Sequence, residues 1–131
     1  MKGIETRVQI EASPRTVYKA ITDPANFPRF VPGVERAEVL AEGLDGVGTL
    51  VDLTTRGSRH LEAVVTSEAR NHFFALQDAR GTVLEWELKR TPSGTLAIQR
   101  ILGEFDEVLA ARLQAEAREK LYRFKGTIES R

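Results

Sequence analysis

Ile4, Thr6, Val8 and Ile10 alternate with Glu5, Arg7, Gln9 and Glu11. A period of two predicts a strand with one buried face. Ser13-Pro14 then opens a helix, with the serine placed to cap it and the proline where no helical N–H bond is needed. Val17, Tyr18, Ala20 and Ile21 carry its apolar face. Asp23-Pro24 repeats the start signal, and Pro28 and Pro32 keep this second helix short.

From Val34 to Leu102 the pattern reads as β, in runs Val34–Glu42, Gly48–Arg56, Arg59–Glu68, His72–Ala79, Thr82–Arg90 and Thr95–Leu102. The turns between them, Glu42–Gly46, Arg56–Ser58, Ala69–Asn71, Arg80–Gly81 and Pro92–Gly94, are short, which favours antiparallel hairpin neighbours. Asp106 to about Lys125 predicts one long helix closing at Gly126, with a frayed tail beyond. The order is β-α-α-β6-α, an α+β class in a single domain over residues 1–131. A long antiparallel sheet must bury an apolar face, and the last helix is the large element left to cover it. Phe105, Leu109, Leu113, Ala117, Leu121 and Phe124 form the covering stripe. A sheet curled around one helix leaves a cavity between them.

Composition narrows the function. Nineteen Lys and Arg balance nineteen Asp and Glu, which argues against a nucleic-acid partner, since phosphate contacts need a basic surplus. There is no cysteine, hence no disulfide, thiolate metal site or cysteine nucleophile. No apolar run approaches the roughly 20 residues of a membrane span. The opening from Met1 to Arg7 lacks a signal-peptide core, and the expectation is a cytoplasmic protein. His60 and His72 are the two histidines and do not pair at ligand spacing, so neither a metal nor another cofactor is expected.

Ile10–Tyr18 (Ile-x-Ala-Ser-Pro-x-x-Val-Tyr), Ile21-Thr22-Asp23-Pro24 and Phe27-Pro28 resemble the START-like (SRPBCC) superfamily, most closely its polyketide cyclase/dehydrase and coenzyme-Q-binding-like groups. Gly46–Thr49, Leu84–Leu88 and Ser93–Thr95 are similar to runs in the same family. The resemblance implies a helix-grip fold: a seven-stranded curved antiparallel sheet wrapped around the C-terminal helix, with a deep apolar pocket. It implies less about function, because members bind lipids, quinones or polyketides and only some are enzymes.

Within such a pocket, Leu96, Ile98, Arg100 and Leu102 share one strand face, with Ala97, Gln99 and Ile101 on the other. If the first face looks inward, Arg100 needs an acidic or carbonyl-bearing partner. If it sits at the rim, it snorkels to water. Lys120 falls within the helical stripe and either pairs with Glu116 or tips toward a ligand at the pocket mouth. Trp86, with Leu84 and Leu88 on its face, lines the wall or packs beneath the helix. Leu53 and Thr55 are wall residues of their strand, whereas Asp52, Arg56 and His60 look outward. Phe27, Phe30 and Val31 form an apolar lip that acts as plug or gate. The expected wall contact is Trp86 and Leu88 against Leu113, Ala117 and Leu121, with Arg100 among them and Phe124 further along the stripe.

Three functions fit. In the first, a small hydrophobic molecule (lipid, quinone or aromatic polyketide) binds by burial. At about 0.8 kcal/mol per CH₂, about ten carbons reach micromolar affinity. In the second, an aromatase/cyclase acts on the same ligand, with Arg100 polarising a carbonyl and Lys120, Gln77, Thr55 and Tyr18 assisting. That reading lacks a nameable base and ranks below binding. In the third, an exposed patch at Phe27 and Phe30 makes the chain a protein-interaction module, with a homodimer as one form.

Overall fold

A computed structural model describes residues 2–43 and 46–130. Leu44 and Asp45 of the predicted Glu42–Gly46 turn, together with Met1 and Arg131, lie outside the described residues. The elements are β1 (Lys2–Ile10), α1 (Pro14–Thr22), a 3-10 turn (Pro24–Asn26), α2 (Phe27–Phe30), β2 (Val34–Ala41), β3 (Leu50–Thr55), β4 (Arg59–Ala69), β5 (Phe73–Asp78), β6 (Val83–Thr91), β7 (Gly94–Gly103) and α3 (Glu107–Glu129). The sheet is seven-stranded and antiparallel, in the order β1-β7-β6-β5-β4-β3-β2. It curves around α3 in a helix-grip arrangement. Register shifts within β2–β3 and β4–β5 help it bend.

The predicted start signals do their work. Ser13 Oγ accepts from the Thr16 N–H at 3.2 Å, and an Asp23 carboxylate oxygen accepts from the Ala25 N–H at 3.0 Å. Asp106 likewise caps α3 through the Leu109 N–H at 2.8 Å. β3 begins at Leu50 rather than Gly48, because the chain turns through Gly46 and Gly48, both at positive φ.

The far end of α3 departs from expectation. The helix does not close at Gly126 but runs on to Glu129. Ile128 is 1% exposed, and the Glu129 carboxylate accepts from the Glu11 N–H at 2.7 Å. Burying an isoleucine gains about 1.5–3 kcal/mol, against about 1 kcal/mol lost to a glycine inside a helix. Packing therefore overrides the local stop signal.

The concave face of the sheet carries Ile4, Thr6 and Val8 on β1, Thr95, Ala97, Gln99 and Ile101 on β7, and Leu84, Trp86 and Leu88 on β6, all buried. Ala117, Leu121, Phe124 and Ile128 of α3 close over it. α1 and α2 seal one end: Phe30 meets Trp86 edge-on with ring centroids at 5.4 Å, and Phe124 at 5.2 Å.

Candidate functional site

The aromatic plug fills the space under the C-terminal half of α3. Under its N-terminal half the helix and sheet stand apart, where Leu109 and Leu113 look across at Leu76, Leu84 and Ile101. The result is a cavity of about 700 Å³, open to solvent. This lies within the roughly 300–1,000 Å³ of small-molecule sites. Leu53, Thr55 and Leu61 extend the sheet-side wall, and the Val31–Val34 segment forms one lip. The rim is charged, with Arg56, Arg59, Arg80 and Arg112 beside Asp78, Glu104 and Glu116.

Of the residues expected here, Leu53, Thr55 and Leu113 line the cavity. Phe27, Phe30, Trp86, Leu88, Ala117, Leu121 and Phe124 are buried core beside it. Trp86 meets Phe30, which in turn meets Phe124, so the expected wall here is packed core rather than cavity. Burial of Phe27 and Phe30 also removes the exposed apolar patch that a protein-interaction footprint needed there.

Three residues face the other way. Gln77 is exposed on the convex side, since Phe74 and Leu76 take the concave face of β5. Ile98 is buried, but on the convex side between Arg7 and Glu87 in the strand register. Arg100 lies on the same face. Its Nε donates to Glu5 at 3.0 Å, and Nη1 stands 3.6 Å from both Glu85 and Glu87. The Arg7 guanidinium, and then that of Arg100, hold the Glu5 carboxyl below the usual carboxylate range. In the middle of β7 the inward polar residue is Gln99, whose Nε2 donates to the Phe30 carbonyl at 3.2 Å. Gln99 Oε1 and Trp86 Nε1 are buried without a partner among the described residues.

Lys120 is committed to the cavity lip. Its Nζ donates to the carbonyls of Val31 at 2.7 Å, Pro28 at 2.9 Å and Val34 at 3.4 Å, with Glu116 at 3.7 Å. Burial lowers its hold on the proton, and the neighbouring Glu116 works against that. Glu116 also accepts from the Gly33 N–H at 3.0 Å and from Arg56 at 3.3 Å. Together the two side chains staple the cavity lip to α3. Arg56 thus belongs to the rim, not to the outward surface expected of it. Asp52 and His60 do pair on the outer face, at 2.8 Å.

Some of the lining was readable and some was not. Leu84 shares the face of Trp86, and Phe105 and Leu109 head the helical stripe, so period alone points to them. Arg59, Arg80, Thr82 and Arg112 join the site through the meeting of hairpin ends with α3, which no local pattern reports. Asp78, with a side chain 9% exposed, is a turn cap: it accepts from the N–H groups of Arg80 (2.8 Å) and Thr82 (3.1 Å) and from the Arg80 guanidinium (3.0 Å). No cluster of three His, Asp or Glu placed to hold a metal occurs among the described residues.

This architecture is the helix-grip fold of the SRPBCC, or START-like, class. The chain belongs to the polyketide cyclase/dehydrase and lipid transport family, whose model matches residues 1–129. No curated protein sequence matches it significantly. Among solved structures it is similar to a protein from Bacillus halodurans, with a TM-score of 0.79 and 16% identity over 98% of each chain. It is also similar to the Aha1 dimer from Colwellia psychrerythraea, with a TM-score of 0.76 and 20% identity over 98% of this chain and 97% of that one. The aromatase/cyclase di-domain protein StfQ of steffimycin biosynthesis gives a TM-score of 0.74 and 17% identity, over 98% of this chain and 50% of StfQ. At these identities the likeness is one of fold.

Proposed function

We propose that the chain binds a small, largely apolar molecule in the cavity between the sheet and the N-terminal half of α3. The observation that carries this is the open 700 Å³ space floored by Leu76, Leu84 and Ile101 and roofed by Leu109 and Leu113. Exposed apolar surface of this kind is costly unless something covers it. The family description, which names lipid transport as well as cyclase and dehydrase activity, fits such an occupant.

Binding ranks ahead of turnover because the acids near the cavity are engaged. Asp78 caps a turn and pairs with Arg80, and Glu116 holds Gly33 and Arg56. A general base needs a free lone pair within reach of the substrate proton. Arg100 and Gln77, which the cyclase reading relied on, lie on the convex face.

The test is fluorescence titration with the uncharged reporter N-phenyl-1-naphthylamine. Saturable enhancement is expected, reversed by decanol. Leu113→Trp, which fills the cavity from the helix side, should abolish the enhancement while circular dichroism stays unchanged. A parent protein that gives no saturable signal, or a folded Leu113→Trp variant that binds as well as the parent, overturns the reading.

A further inference from the structure

We infer that the occupant of the cavity is an amphipathic carboxylate, its apolar body in the trough and its acidic head held at the mouth by Arg59 and Arg112. The inference rests on the ligand-binding reading above and names the ligand class for that same site.

The rim holds four arginines and three acids, but their commitments differ. Arg56 is spent on Glu116 and Arg80 on Asp78. Glu104 has a partner of its own. Arg59 and Arg112 have no side-chain hydrogen bond or ion pair among the described residues, yet both line the cavity. Arg59 reaches it from β4, on the same strand face as Leu61. Arg112 reaches it from α3, next to Leu113 and one turn before Glu116.

The Arg56–Glu116 pair, at 3.3 Å, shows that the end of the β3–β4 hairpin comes within side-chain reach of α3 at this level. Arg59 and Arg112 flank that bridge, one from each wall. Two planar guanidinium groups with free donors, beside an apolar trough, complement a carboxylate attached to a hydrocarbon body. A neutral ligand would fill the trough and leave both cations unused. An amine would meet like charge.

The test uses the full chain and displacement of N-phenyl-1-naphthylamine by decanoate, decanol and decylamine at neutral pH. Decanoate is expected to displace the reporter at roughly tenfold lower concentration than decanol, with decylamine the weakest, as suits two partly exposed charge contacts. The advantage of decanoate should shrink as salt rises from about 0.05 M to about 0.5 M, where exposed charges are screened. Arg59→Gln combined with Arg112→Gln should erase that advantage, so that decanoate and decanol displace the reporter at similar concentrations. If decanol displaces the reporter as well as decanoate does, or the preference survives in the double variant, the head-group assignment is overturned and the cavity reading stands. If neither the reporter nor any of the three binds, the cavity reading falls and this inference falls with it.

Discussion

Arg100 sits directly between Glu5 on β1 and Glu85 on β6 in the strand register, so its charge is answered from both sides without a ligand. Each contact is an ion pair on the convex face, of the kind worth at most about 1 kcal/mol. Arg100→Met should therefore leave reporter affinity for the cavity unchanged and, with three such pairs lost, lower stability by no more than about 3 kcal/mol in urea unfolding. A large loss of binding would return Arg100 to the site. Alternation alone did not choose between the two faces of β7, because Leu96, Ile98 and Leu102 make one face as apolar as Ala97 and Ile101 make the other. The choice came from the partner strands. Acidic residues line the convex face of β1 and β6, while the concave face meets Phe30.

At the scale of elements, the C-terminal turn of α3 is held by packing rather than by its own propensity. Gly126 lies inside the helix with nothing within 4 Å of where a Cβ would sit. Gly126→Ala should raise stability by about 0.5–1 kcal/mol. Ile128→Ala should lower it by about 2–5 kcal/mol, whereas a frayed tail would show almost no change. Urea unfolding of both variants checks the pair. The Glu129 carboxylate is held below its ordinary 4.5 by the Glu11 N–H and then by Lys125. A depressed carboxyl contributes stability that is present above the unfolded value and lost as pH falls through the folded one. Glu129→Gln should thus melt below the parent at neutral pH, and the two curves should converge as pH drops beneath 4.5. Parallel curves at every pH would show that the link between α3 and the end of β1 does not depend on charge.

Across the whole molecule, the groove between helix and sheet is divided into a packed half and an open half. Ala117 is fully buried in the packed half and Leu113 borders the open one. Ala117→Trp has no space to enter and should cost several kcal/mol or prevent folding. Leu113→Trp extends into free volume and should cost little. Thermal unfolding of the two variants side by side checks the division. Equal tolerance would mean that the cavity reaches under Ala117.

The sequence by itself determined the order of elements, the capped starts at Ser13 and Asp23, the antiparallel hairpins and the apolar stripe of α3. Each depends on neighbours a few residues apart, where period, proline and turn chemistry act directly. It also determined that the stripe must meet the sheet, since no other large apolar face was left over. Only the tertiary structure decided where along that meeting the space remains. Phe27 and Phe30, carried by a short helix that contains Pro28 and ends before Pro32, fold into the groove and fill the end where Ala117 was expected to line the wall. That outcome depends on contacts between residues some ninety positions apart, such as Lys120 Nζ with the Val31 carbonyl. The same long-range geometry gathers Arg59 and Arg112 at the mouth, two side chains that are unremarked surface arginines until a hairpin end and a helix meet.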